Sequence, residues 1–143
     1  MHRKPHFAKF VLRLLLMSVL VCSPSWIQAV QKPDLVVKEI TWSPASVLTG
    51  DEVTFTIVLA NVGAVPSAAS KVEFQTGTQT KNIAIPGLHP QGRNYLLTEK
   101  RSFNTDFNFL IKATVDSRNQ VVESNENNNV LQKSLAVHPS SDF

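Results

Sequence analysis

The chain of 143 residues is long enough for one domain, and its 43% of apolar residues suffices for an interior. Its formal net charge of +3 misleads, because Arg3, Lys4, Lys9 and Arg13 all lie in the first 29 residues; without them ten basic residues face eleven acidic ones. That balance argues against a nucleic-acid binder built on a basic face, and with Cys22 as the only cysteine no disulfide can form within the chain.

Residues 1–29 read as a secretory signal. Arg3, Lys4 and Lys9 form a positive start, and Leu14 to Cys22 supplies an apolar run within the usual range of about 7–15 residues. Ala29 is the expected last residue removed, with Ile27 at the other recognition position. Arg13 shortens the apolar run below the roughly 20 residues that a membrane-spanning helix needs. Leu20 and Val21 are too large for lipid attachment at Cys22. The expected product is a domain of residues 30–143, exported to the periplasm or beyond, with no stable membrane insertion.

Strand signals follow at short intervals. Leu35 and Val37 share one parity while Ile40 and Trp42 share the other, which predicts a bulge near Lys38 and Glu39. Ser43-Pro44 ends that strand. After Thr49-Gly50-Asp51, Val53, Phe55, Ile57 and Leu59 alternate inward against outward Thr54, Thr56 and Ala60. Val72 and Phe74 mark a third strand, and a weaker run ends at Ile83 and Ile85. Pro86-Gly87 turns the chain, Leu88 plugs the bottom of the core, and Pro90-Gln91-Gly92 turns it again. Tyr95 to Phe103 carries Glu99-Lys100-Arg101, whose charges suit a solvated edge.

The most informative stretch runs from Asp116 to Asn129, D-S-R-N-Q-V-V-E-S-N-E-N-N-N. Before it, Phe107, Phe109, Ile111, Ala113 and Val115 alternate as the buried face of a strand, and Val130 to Val137 makes another apolar run after it. Asn, Asp and Ser side chains bond nearby backbone groups and tolerate left-handed turns, so the segment reads as a structured loop. Asn119, Val121, Asn125, Asn128 and Asn129 are its expected structural residues. At least one of Val121 and Val122 must be covered. About seven short strands in all indicate an all-β, immunoglobulin-like antiparallel sandwich without the antibody-type cysteine pin.

The same stretch resembles the C-terminal signature of the CARDB family, the cell-adhesion-related domain of bacterial and archaeal exported proteins. Val115, Asp116, Asn119, Val121, Glu123, Asn125, Glu126, Asn128 and Asn129 fall on the places of V-D-x-x-N-x-V-x-E-x-N-E-x-N-N. Pro33 to Val37, Ser43 to Thr56 and Ile85 to Gly92 agree as well, so the resemblance spans roughly residues 33–137. It implies an immunoglobulin-like scaffold with an adhesion-related or accessory role and identifies no ligand.

Chemistry must be weighed against structure in that loop. Asp116, Asn119, Glu123, Asn125 and Glu126 offer many oxygens in a short span, and calcium takes about six to eight such ligands. Counting from Asp116, however, Arg118 and Gln120 occupy the places where an EF-hand has Asp or Asn, and Val121 the place of its glycine. The spacing therefore favours side chains capping the loop's own backbone over a calcium site. His89 and His138, the histidines beyond residue 29, sit in no nucleophile or metalloprotease pattern, and Glu123 with Glu126 lacks the cleft that glycoside hydrolysis requires. Lys100, Arg101 and Lys112 make no nucleic-acid patch, since adjacent strand residues point to opposite faces. Trp42 and Tyr95 read as core-edge residues rather than a sugar platform. The resulting expectation is a non-catalytic, monomeric module that needs no cofactor and binds a protein partner at the cell envelope. The alternatives are a subunit that self-assembles through strand edges and a calcium-binding module.

Overall fold

The computed structural model describes residues 28–141. All but the last two positions of the expected signal segment therefore lie outside the described residues, as do residues 142 and 143. Residues 31–141 form one compact unit. Its strands are β1 (Leu35–Ser43), β2 (Val47–Leu48), β3 (Glu52–Asn61), β4 (Ser70–Thr76), β5 (Gln79–Ile85), β6 (Asn94–Ser102), β7 (Phe107–Val115) and β8 (Val130–His138). They build an all-β sandwich, with a three-stranded sheet in the order β1-β3-β6 against a five-stranded sheet in the order β2-β8-β7-β4-β5.

Alternation sets which side chains meet between the sheets. On β3, Val53, Phe55, Ile57 and Leu59 are fully buried, and from the other sheet Val72, Phe74, Ile111, Ala113 and Val115 answer them. Phe55 lies at the centre, with ring centroids 6.1 Å from Trp42, 5.3 Å from Phe74 and 6.3 Å from Phe103, all in edge-on geometry that favours aromatic quadrupoles. Leu88 closes the interior from the connection after β5, as its place between two turns predicts. In β1 the pairing with β3 slips between Val37 and Glu39, so Leu35, Val37 and Ile40 all reach the core despite their mixed parity.

Four details depart from the sequence expectation. A short strand, β2, pairs in parallel with the end of β8, through Val47 opposite Val137 and Leu48 opposite His138. Two residues are too short to show a period, so it escapes pattern reading. Phe107 shares the inward parity of Phe109 and Ile111 yet is 66% exposed, because it stands at the strand's open end where the opposing sheet leaves it uncovered. Ala60, on the outward parity, is buried between its cross-strand neighbours Val36 and Asn94. Strand β6 begins at Asn94 and ends at Ser102, leaving Phe103 to the following connection, where it packs into the core.

Strand β6 is an edge, as its charges suggest, and those charges are arranged by parity. Lys100 reaches outward to Glu52 at 2.7 Å, while Glu99 turns inward and meets Lys81 of β5 at 2.9 Å, tying the two sheets together along one flank. Replacing Phe55 with alanine removes the ring on which three other aromatic rings rest. It is expected to cost about 3–5 kcal/mol in unfolding free energy, read by urea denaturation.

Candidate functional site

The Asp116–Asn129 loop is built by consumption of its own polar groups. Asp116 adopts a left-handed conformation at φ 49°, and its carboxylate turns back to accept from the Gln120 amide at Oδ1 and the Val121 amide at Oδ2, both at 2.9 Å. Asn119, at φ 52°, donates its amide to the Asp116 carbonyl at 2.8 Å and completes the turn. Asn125 Oδ1 caps the Asn127 amide at 3.0 Å, and Glu126 Oε1 accepts from the Glu123 amide at 2.8 Å. Val121 goes into the core and Val122 stays 70% exposed, so one of the adjacent valines is covered.

Glu123 is the deepest of these groups. Its carboxylate is buried, accepting from the Leu35 amide at 2.6 Å through Oε2 and from Asn129 Nδ2 at 2.7 Å through Oε1. The same Nδ2 also donates to the Leu35 carbonyl at 3.1 Å, so both main-chain groups of the first β1 residue are met by loop side chains. Around this centre Asn128 Nδ2 donates to Asp34 Oδ1 at 2.8 Å and the Ser124 amide to the Pro33 carbonyl at 2.9 Å. The loop belongs to the five-stranded sheet and β1 to the three-stranded one. These bonds therefore stitch the sheets together at one end.

Asp116, Glu123 and Glu126 each offer an oxygen within 4.8 Å of the others. Among the described residues none of them forms a salt bridge. Burial lifts the Glu123 carboxyl above its ordinary range; the Leu35 and Asn129 hydrogen bonds pull it back, and the Glu126 and Asp116 charges push it further up. Asn128 Oδ1 and Asn129 Oδ1 are buried without a hydrogen-bond partner among the described residues. The three carboxylates thus bring together anionic oxygens that can accept a hard cation. Of the five candidates, the carboxylates Asp116, Glu123 and Glu126 form this cluster, while Asn119 and Asn125 serve the turns just described.

Pattern reading missed a second polar hub, Asn61. This fully buried residue accepts at Oδ1 from the Asp34 and Gly63 amides, each at 3.0 Å, and donates through Nδ2 to the carbonyls of Val65 at 2.7 Å and Leu88 at 3.2 Å. A Cβ on Gly63 would stand 2.5 Å from the Lys32 carbonyl oxygen, so only glycine lets the two backbones approach so closely. The N-V-G turn after β3 was the available signal for that approach.

A carboxyl raised by burial favours folding most when protonated, so the Glu123 contribution is full below its unfolded-state pKa and is lost as pH rises through the elevated folded-state value. Glu123→Gln is expected to flatten the fall in unfolding free energy as pH rises above the ordinary glutamate value of 4.5, read by urea denaturation at a series of pH values. Glu123→Ala, which strands the Leu35 amide, is expected to cost about 2–4 kcal/mol in the same assay.

Comparison with known proteins closes the question of family. The CARDB family profile matches residues 32–133. The crystal structure of the CARDB domain of a Pyrococcus furiosus protein, in complex with di-metal ions, superposes with a TM-score of 0.70 at 30% identity, covering 79% of this chain and all of that one. The solution structure of the same archaeal domain gives 0.67 at 31% identity over 76% of this chain and 97% of its own. A domain of a putative cell surface protein from Methanosarcina acetivorans shares the fold at a TM-score of 0.58 and 22% identity, over 74% and 92% of the two chains. No curated protein matches the chain. With the family profile matching residues 32–133 and a CARDB domain superposing over most of its length, the chain belongs to the CARDB family.

Proposed function

We propose that this protein is an exported, non-catalytic module that binds a protein partner at the cell envelope. The observation that carries this reading is β6, a nine-residue edge strand whose one sheet neighbour is β3 and whose outward face presents Leu96 at 63% exposure. An edge of this length leaves main-chain donors and acceptors open along one side and forms a template for an added strand. Family membership supports an adhesion-related role, and the signal-like charge and apolar pattern of residues 1–29 supports export. The hydrogen bonding of the Asp116–Asn129 loop is largely internal, which favours the edges and the other end of the sandwich as contact surfaces.

Light scattering across protein concentration separates partner binding from self-assembly. A constant monomer is expected, and a mass that grows with concentration would replace the reading with assembly through the edges. In affinity capture from a cell-envelope fraction, Leu96→Lys is expected to reduce recovery of a retained partner about tenfold or more while leaving the melting temperature unchanged. Equal recovery by both proteins would rule out the β6 face.

A second reading concerns the loop. The clustered Asp116, Glu123 and Glu126 oxygens form an all-oxygen set of the kind that hard divalent cations prefer. The Pyrococcus furiosus relative was solved with di-metal ions. On this reading a cation neutralises the cluster and tightens the tie between loop and β1. Millimolar calcium is then expected to raise the melting temperature of chelator-treated protein, and less so in Glu126→Gln. An unchanged melting temperature would remove the metal from the account.

A further inference from the structure

Within the β6 run Glu99-Lys100-Arg101, two charges are paired and one is not. Glu99 holds Lys81 and Lys100 holds Glu52, whereas Arg101 forms no salt bridge among the described residues. Arg101 stands opposite Val53 in register, on the inward parity, next to the point where β6 ends at Ser102. Its Nε is buried with no acceptor, and Nη1 reaches the carbonyl of the adjoining Lys100 at 3.4 Å. A guanidinium N–H withdrawn from water in this way carries a cost.

A cavity of about 170 Å³ lies beside it, bounded by Arg101 and Ser102, by Thr78 and Gln79 from the β4–β5 hairpin, and by the rings of Phe103 and Phe109. Those rings stack at 4.7 Å with a 43° tilt. The hairpin is pressed onto them: Gly77 takes φ 62°, a Cβ there would stand 2.9 Å from Phe109 Cδ1, and its amide bonds the Leu110 carbonyl at 2.8 Å. The walls are therefore fixed by packing before any ligand arrives.

We propose that this cavity is a binding site for a carboxylate on a short aliphatic stem, anchored by Arg101. A guanidinium presents a planar fork that matches a carboxylate, and the hydroxyls of Thr78 and Ser102 with the amide of Gln79 supply further hydrogen bonds. The two phenyl rings suit the methylenes of the stem. One cation among the lining residues balances one negative charge, which favours a carboxylate over a phosphate dianion. The carboxylate belongs either to a free small acid or to an acidic side chain of a peptide, and the cavity reads the same group in both. This site does not depend on the strand-edge reading above.

The test is a titration of the purified protein followed by NMR at the arginine Nε–H resonances. The probes are glutarate, a tripeptide with a central glutamate and both ends blocked, and the same tripeptide with glutamine at the centre. A saturable shift of the Arg101 Nε–H with glutarate alone assigns the site to small acids, and one with the glutamate peptide assigns it to acidic side chains; either supports the proposal when the glutamine peptide and chloride at equal ionic strength do not reproduce it. Arg101→Lys is expected to weaken binding about tenfold or more, because the ammonium cannot form the fork. Should that variant fold poorly, Gln79→Ala at the rim is expected to weaken binding a few-fold with Arg101 still observable. No saturable shift with any carboxylate, or equal affinity in a folded Arg101→Lys, overturns the proposal.

Discussion

The architecture of this domain depends on a single carboxylate set where an apolar group would ordinarily be. Glu123 enters one end of the sandwich and is answered by an amide of β1 and by the side chain of Asn129. Burying an acid this way is tolerable only when donors are already aimed at it. That requirement explains why the loop is so rich in short polar residues: Asp116 bends the chain, Asn119 takes the left-handed step, and Asn128 and Asn129 reach across to Asp34 and Leu35. Apolar packing makes the two layers adhere, whereas this polar tie determines where the first strand begins.

Much of the framework was legible from residue order. Val53 through Leu59 alternate so regularly that only a half-buried strand accommodates them, and the parity change around Lys38 foretold the slip in β1. Such features are local, since each follows from where successive side chains point. The capping role of Asp116 and Asn125 was legible for the same reason: both bond residues within five positions of themselves.

The rest required knowledge of what lies across space. Phe107 obeys the alternation of its strand and still faces solvent, because coverage depends on where the opposing sheet stops. Asn61 looks like an ordinary turn residue until the Asp34, Val65 and Leu88 backbone groups converge on it. Nor does the order Glu99-Lys100-Arg101 reveal that the first two find partners on other strands while the third is left beside a cavity. Burial of Glu123 likewise depends on the Leu35 amide and the Asn129 side chain that converge on it from elsewhere in the chain.

The direction of the strands has a mechanical corollary. Strand β1 starts at Leu35 beside the loop, and β8 leaves the same end at Val130 and runs nine residues to His138, so entry and exit of the domain lie at opposite poles. Tension drawn between those poles acts lengthwise along β1, against its antiparallel ladder with β3. Rungs stressed in shear must yield together, whereas rungs peeled from one end yield in turn, and the domain is thereby oriented to resist stretching.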